Sequence, residues 1–192
     1  MSRPGILPIS SLLLALAGGI AIESASRAMA QSRQPAAGSD PYPAPGWKNA
    51  EWHHSPHTLK LQDLRGRVVF LNFWVFTCGN CTRTVPSLVD FDRRYRDQGL
   101  TLIGIHTPEF PPYAGEHDRS NVARALKDYG IAYPNAQDND SQTWNLYGIR
   151  YWPSFVLIDK RGAVRYEGYG EFHLNDGSYE LWDRRIRELL AE

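Results

Sequence analysis

The spacing of apolar positions changes character several times along the chain. VVFLNFW (Val68–Trp74) is an almost unbroken apolar run, the pattern of a strand buried on both faces. From Asn80 to about Gln98 the period turns helical, with Thr84, Leu88, Phe91 and Tyr95 on one face and Gly99 as a natural stop. LTLIGIH (Leu100–His106) is a second buried strand, followed by the proline-rich loop TPEFPPYAGEHD. RSNVARALKDYG predicts a helix with Val122, Ala125, Leu126 and Tyr129 inward and Gly130 at its end. SQTWNLYG predicts a short helix capped by Asp140 or Ser141 and closed by Gly148. SFVLIDKRGAVRYEGYG reads as a hairpin turning at Lys160–Gly162, and a last amphipathic helix carries Leu181, Trp182, Ile186, Leu189 and Leu190.

The order is therefore β-α-β-α-α-β-β-α. A strand, crossover helix and strand imply a parallel pair, and the hairpin adds antiparallel strands. The expected fold is α/β, a mixed central sheet with helices on both faces. Upstream, HTLKLQDLRGR alternates toward Arg65-Gly66 and predicts a short hairpin arm.

The N-terminal segment has a different character. Arg3 precedes the apolar stretch from Ile6 to Ile22, and Ala28-Met29-Ala30 has the small-x-small pattern that suits cleavage before Gln31. Residues 1–30 read as a signal peptide or, through residues 6–22, as an N-terminal membrane anchor. Residues 31–46, rich in Pro, Gly and Ala, read as a linker, and 47–192 as one domain. The domain is thus expected to be exported, periplasmic or otherwise extracytoplasmic. The 192 residues carry 21 basic and 21 acidic side chains, so no electrostatic case for nucleic acid arises.

Export bears on the two cysteines, Cys78 and Cys81, the only ones in the chain. Secreted domains that depend on disulfides are shorter and richer in cysteine, and so tight a loop restrains the unfolded chain little. A thiol at the end of the first buried strand would meet the positive end of the following helix, which favours the reactive thiolate. Three residues on, Cys81 lies one turn along the same helical face. The first sulfur is placed to attack and the second to resolve. A zinc site would need two more ligands, and His106, His117 and His173 stand apart from one another, so no metal is assigned. His53, His54 and His57 in HHSPH read as surface polar residues. Trp144, Tyr147, Tyr151, Phe155, Tyr166 and Trp182 read as core.

LRGRVVFLNFWVFTCGNC, LTLIGIHTPEF and YGIRYWPSFVLIDKRG together resemble the thioredoxin-fold superfamily, in particular exported TlpA-like thiol-disulfide oxidoreductases and the thioredoxin-like domain of DipZ-type proteins. The resemblance runs from about Trp47 to the C-terminus. It implies a thioredoxin-like fold, catalytic roles for Cys78 and Cys81, and a helix-bending role for Pro86. It also implies a cis-proline at Pro153, with Trp152 before it in substrate binding. Two departures matter. Asn72 and Thr84 stand where relatives carry acidic groups that receive the proton of the resolving cysteine. His106 and Glu109, at the end of the neighbouring strand, become candidate proton acceptors.

The resemblance implies a reductant of disulfides in exported proteins, working without a cofactor, as a monomer, and re-reduced by a membrane electron donor of CcdA/DsbD type. Two other readings stand beside it. One is a peroxiredoxin-like thiol peroxidase, although Val75 occupies the position three before Cys78 where that chemistry places Thr. The other is a metal or haem chaperone using both cysteines as ligands.

Overall fold

The computed structural model describes residues 40–109 and 115–192. The proposed signal peptide or anchor and the first part of the linker lie outside the described residues. No helix among those described is long and apolar enough to cross a membrane.

Seven strands form one sheet in the order β1-β7-β6-β3-β4-β5-β2: β1 (Tyr42–Pro43), β2 (Glu51–His53), β3 (Val68–Trp74), β4 (Leu100–His106), β5 (Asn135–Gln137), β6 (Ser154–Ile158) and β7 (Ala163–Tyr169). The helices are α1 (Gly79–Tyr95), α2 (Arg119–Asp128), α3 (Gln142–Leu146) and α4 (Gly177–Ala191). β3 runs parallel to β4 and antiparallel to β6, which makes the sheet mixed as expected.

All seven residues of β3 are buried because both of its faces are covered. Val68, Phe70 and Trp74 face a core shared with α1, α2 and α4, including Leu88, Phe91, Val122, Leu126, Trp182 and Ile186. Val69, Leu71 and Phe73 face a second core with Trp52, Leu61 and Tyr147. The period-2 alternation of a strand thus serves two apolar layers at once. In β4, a Cβ on Gly104 would lie 1.8 Å from Asn135 Oδ1, the buried atom that accepts the Trp74 Nε1–H bond at 3.0 Å. Only glycine allows that approach.

Several expectations need correcting. Residues 57–67 form no hairpin; they contain a short 3-10 turn at Leu61–Leu64. Both flanks of β3 are already paired with β4 and β6, so the arm leading into it has no edge to join. The linker's end belongs to the fold: β1 lies within 31–46, pairs with β7, and Tyr42 Oη donates to Glu167 at 2.9 Å. β2 and β5, too short to show a period, pair with each other. Ser141 holds the N-cap position of α3 as expected, but its side chain makes no capping bond, and Asp140 accepts only the Gln142 amide, at 3.4 Å. Buried Asp138 accepts from the Thr143 and Trp144 amides at 3.0 and 2.8 Å. His53 is buried in β2 against Gln137, at 2.8 Å, whereas Tyr151 is exposed rather than core.

Candidate active site

β3 ends at Trp74, and four residues later Cys78 caps α1. Its Sγ accepts the Cys81 backbone N–H at 3.3 Å, so the sulfur takes up one of the unpaired donors of the helix end. Cys78 is half-buried and Cys81 is 2% exposed; both are free thiols. The Cys81 thiol, donating to the Cys78 sulfur, is the main cause that lowers the Cys78 pKa to about 7. The Cys81 and Asn80 amides act in the same direction, while burial and the Glu109 carboxylate oppose it. Burial, and then the neighbouring Cys78 sulfur, push the Cys81 thiol far up. One sulfur is reachable and ionised near neutral pH; the other stays protonated until something draws its proton away.

The Trp152–Pro153 bond is cis, as the resemblance implies. Ser154 pairs with Phe73, so Pro153 comes opposite the end of β3, on the side from which Cys78 emerges. Trp152 and Cys78 are both partly buried against the first core, and the Trp152 Nε1 donates to the Thr107 carbonyl at 3.1 Å. Its ring lies 4.2 Å from that of Trp144. Beyond them opens a groove of about 600 Å³, lined by Thr107, Glu109, His117, Trp144, Arg150 and Trp152.

The two candidate proton acceptors separate. The Glu109 carboxylate opposes Cys78 ionisation, the smallest of the effects acting on that thiol. His106 is fully buried, stacked on Phe76 at 5.4 Å and edge-on to Trp74 at 5.3 Å. Neither of its ring nitrogens has a hydrogen-bond partner among the described residues, and burial pushes its pKa down to about 3. It is a neutral core ring packed between Phe76 and Trp74. Asn72 is buried on the α1 side of β3 with its Oδ1 unpartnered among the described residues. Thr84 is buried, donates to the Asn80 carbonyl at 2.8 Å and accepts the Phe172 amide at 3.4 Å. Neither of these two can serve as a base. α1 continues through Pro86, whose missing N–H leaves the turn before it one bond short.

One residue was not legible from sequence. Glu116, in the proline-rich loop after β4, is 1% exposed. Its carboxylate accepts from the hydroxyl of Thr77, the residue before Cys78, and from the Glu109 amide at 2.7 Å. No spacing rule marks a loop carboxylate for burial.

A cysteine pair at a strand–helix junction, beside a cis-proline in a mixed sheet, defines the thioredoxin-like class of proteins. The chain belongs to the AhpC/TSA family, whose pattern matches residues 42–167. Protein DipZ of Mycobacterium bovis is 41% identical over 147 residues, covering 77% of this chain and 20% of that protein. The thiol-disulfide oxidoreductase ResA of Geobacillus thermodenitrificans is 32% identical over 106 residues, 55% of this chain and 56% of its own length. The match therefore spans about a fifth of DipZ and just over half of ResA. A thiol-disulfide isomerase from Corynebacterium glutamicum shares the fold with a TM-score of 0.64 at 24% identity, over 78% of this chain and 97% of that one.

Proposed function

We propose that the protein is an exported thiol–disulfide oxidoreductase that reduces disulfides of exported proteins through Cys78 and Cys81. The observation that carries this reading is the asymmetry of the pair: a reachable sulfur with its pKa lowered to about 7 beside a buried thiol pushed far up. The Cys78 thiolate attacks a substrate disulfide, its sulfur bonds to one substrate sulfur, and the other leaves as a thiolate. Cys81 then gives up its proton and attacks the Cys78 sulfur. The substrate departs as a second thiol, carrying two electrons, and a Cys78–Cys81 disulfide remains. An external dithiol donor, of the CcdA/DsbD membrane type, must then restore both thiols. Trp152 and Pro153 would hold the extended substrate segment beside Cys78, and Glu109 is the carboxylate whose charge acts on the attacking thiol.

The peroxidase alternative has little support here. Val75, three residues before Cys78, is fully buried and offers no hydroxyl. For a chaperone holding metal, the described residues contain no group of three His, Cys, Asp or Glu side chains arranged as ligands.

The test is the equilibrium reduction potential of the pair in glutathione or dithiothreitol buffers, with Cys81→Ser as control. A reductant is expected near the thioredoxin end of the scale, about −270 mV. A value near −120 mV, typical of strong oxidants, would reverse the direction. The absence of any reversible couple would overturn the oxidoreductase reading.

A further inference from the structure

A carboxylate taken out of water needs compensation, normally from a cation, and without one it costs several kcal/mol. Glu116 is 1% exposed and no Lys, Arg or His among the described residues is ion-paired with it. Its compensation comes from two donors, the Thr77 hydroxyl and the Glu109 N–H, on two different loops. Thr77 immediately precedes Cys78, and Glu109 is the carboxylate facing Cys78 from the β4 side. Both donors present hydrogen to an acceptor-only group, the match that makes such bonds short and strong.

We propose that Glu116 is a positioning residue that clamps the loop before Cys78 to the loop after β4, and thereby fixes how closely Glu109 approaches the nucleophile. This rests on the reading of Cys78 as the attacking sulfur. The remaining ties of these loops do not supply that fix. Tyr129 Oη donates to the Phe76 carbonyl at 3.2 Å, and the Thr107 amide to the Trp74 carbonyl at 3.0 Å. The second of these does join the two strand ends, but three residues before Thr77 and two before Glu109, and Thr107 is held further by Asp138 and Trp152; none of these bonds reaches residue 77 or residue 109 itself. The other groups acting on Cys78 sit on α1: Cys81, and Arg83, which is tied to Glu171 at 2.6 Å.

The clamp makes a signed expectation. With Glu109 released, the negative charge opposing ionisation moves away, and Cys78 ionises at lower pH. In Glu116→Ala the midpoint of thiolate absorbance of the reduced protein falls by about half a pH unit, so that thiolate at pH 6 rises two- to threefold. Cys81 stays protonated over this range, so the signal belongs to Cys78. Glu116→Gln keeps the wild-type midpoint, because the Thr77 hydroxyl can turn to accept from the new amide while the Gln oxygen takes the Glu109 N–H. In a Glu109→Gln background the Ala substitution produces no further shift. Three results would overturn the proposal: an unshifted midpoint in a folded Glu116→Ala protein, a Gln variant that shifts as far as Ala, or an undiminished shift in the Glu109→Gln background. Should the Ala variant fail to fold, Thr77→Val cuts the other end of the clamp and must lower the midpoint in the same direction. The titration needs no substrate, so it fails or succeeds independently of whether the pair reduces disulfides.

Discussion

The Cys81 backbone amide donates to Cys78 Sγ across 3.3 Å, so the sulfur proposed to begin the exchange also caps the helix carrying its partner. Capping and reactivity are here one interaction. Helix donors aimed at a sulfur stabilise the negative form, and the thiol of Cys81 adds its own hydrogen bond.

Cys81→Ala should raise the Cys78 titration midpoint above about 7, since the Cys81 thiol is the largest cause of the lowering. The backbone amides of Asn80 and residue 81 remain to limit the rise, against burial and the Glu109 carboxylate. Thiolate absorbance against pH reads the shift. The sign for stability follows. A folded pKa below the unfolded one gives stability that is present above about pH 8.5 and lost as pH falls through 7. Denaturant midpoints of the reduced wild type should therefore rise from pH 6 to pH 8, and those of Cys78→Ala should lack that component.

His106 supplies the second prediction. Its folded pKa, about 3, lies below the unfolded value, so the unfolded chain takes up a proton first and stability falls as pH drops below about 6.5. The loss from this ring between pH 7 and pH 5 should be about 2 kcal/mol. His106→Phe, which places an apolar ring between Phe76 and Trp74, should flatten the profile and leave the rate of disulfide exchange unchanged. Urea denaturation at both pH values, with a parallel exchange assay, checks the two halves. A slowed exchange would mean that the imidazole does handle the proton.

Asp138 gathers four donors: the Asn49 side-chain amide at 3.0 Å, the Thr107 hydroxyl at 3.1 Å, and the Thr143 and Trp144 amides. It ties the N-terminal arm, the β4 loop and α3 into one point below the groove. Asp138→Ala leaves buried donors unmet and should cost about 3 kcal/mol, with Asp138→Asn costing less. Thermal unfolding of both variants measures the difference.

At Asn72 the outcome depends on pH. Asn72→Asp would place a carboxyl in the buried layer beneath α1, where burial raises its pKa. An acid whose folded pKa is raised destabilises most at high pH, so the variant should unfold at a lower temperature than wild type at pH 7. The gap should narrow toward pH 5. A carboxylate there would also offer the resolving thiol a base, and single-turnover reduction of a model disulfide should quicken above the new pKa.

Much of this molecule follows from its sequence alone. The two central strands, α1, α2, the β6–β7 hairpin and the last helix all showed their period, because each spans enough residues to repeat an apolar face. The CxxC pair marked the strand–helix junction as the candidate site, and the motifs around Pro153 implied the cis bond. What the sequence left open depends on partners far along the chain. β1 and β2 are two- and three-residue strands that exist only because β7 and β5 offer them edges. Asp138 supplements the local cap of α3 because the fold brought it to the bare Thr143 and Trp144 amides. His106 and Glu109 looked equivalent at the end of β4, yet packing turned one into the core and left the other facing Cys78. Glu116 acquired its burial from two loops whose meeting no local pattern records. Period and propensity act over neighbouring residues, whereas the charge around a thiol is set by whatever the tertiary structure places within a few ångströms of it.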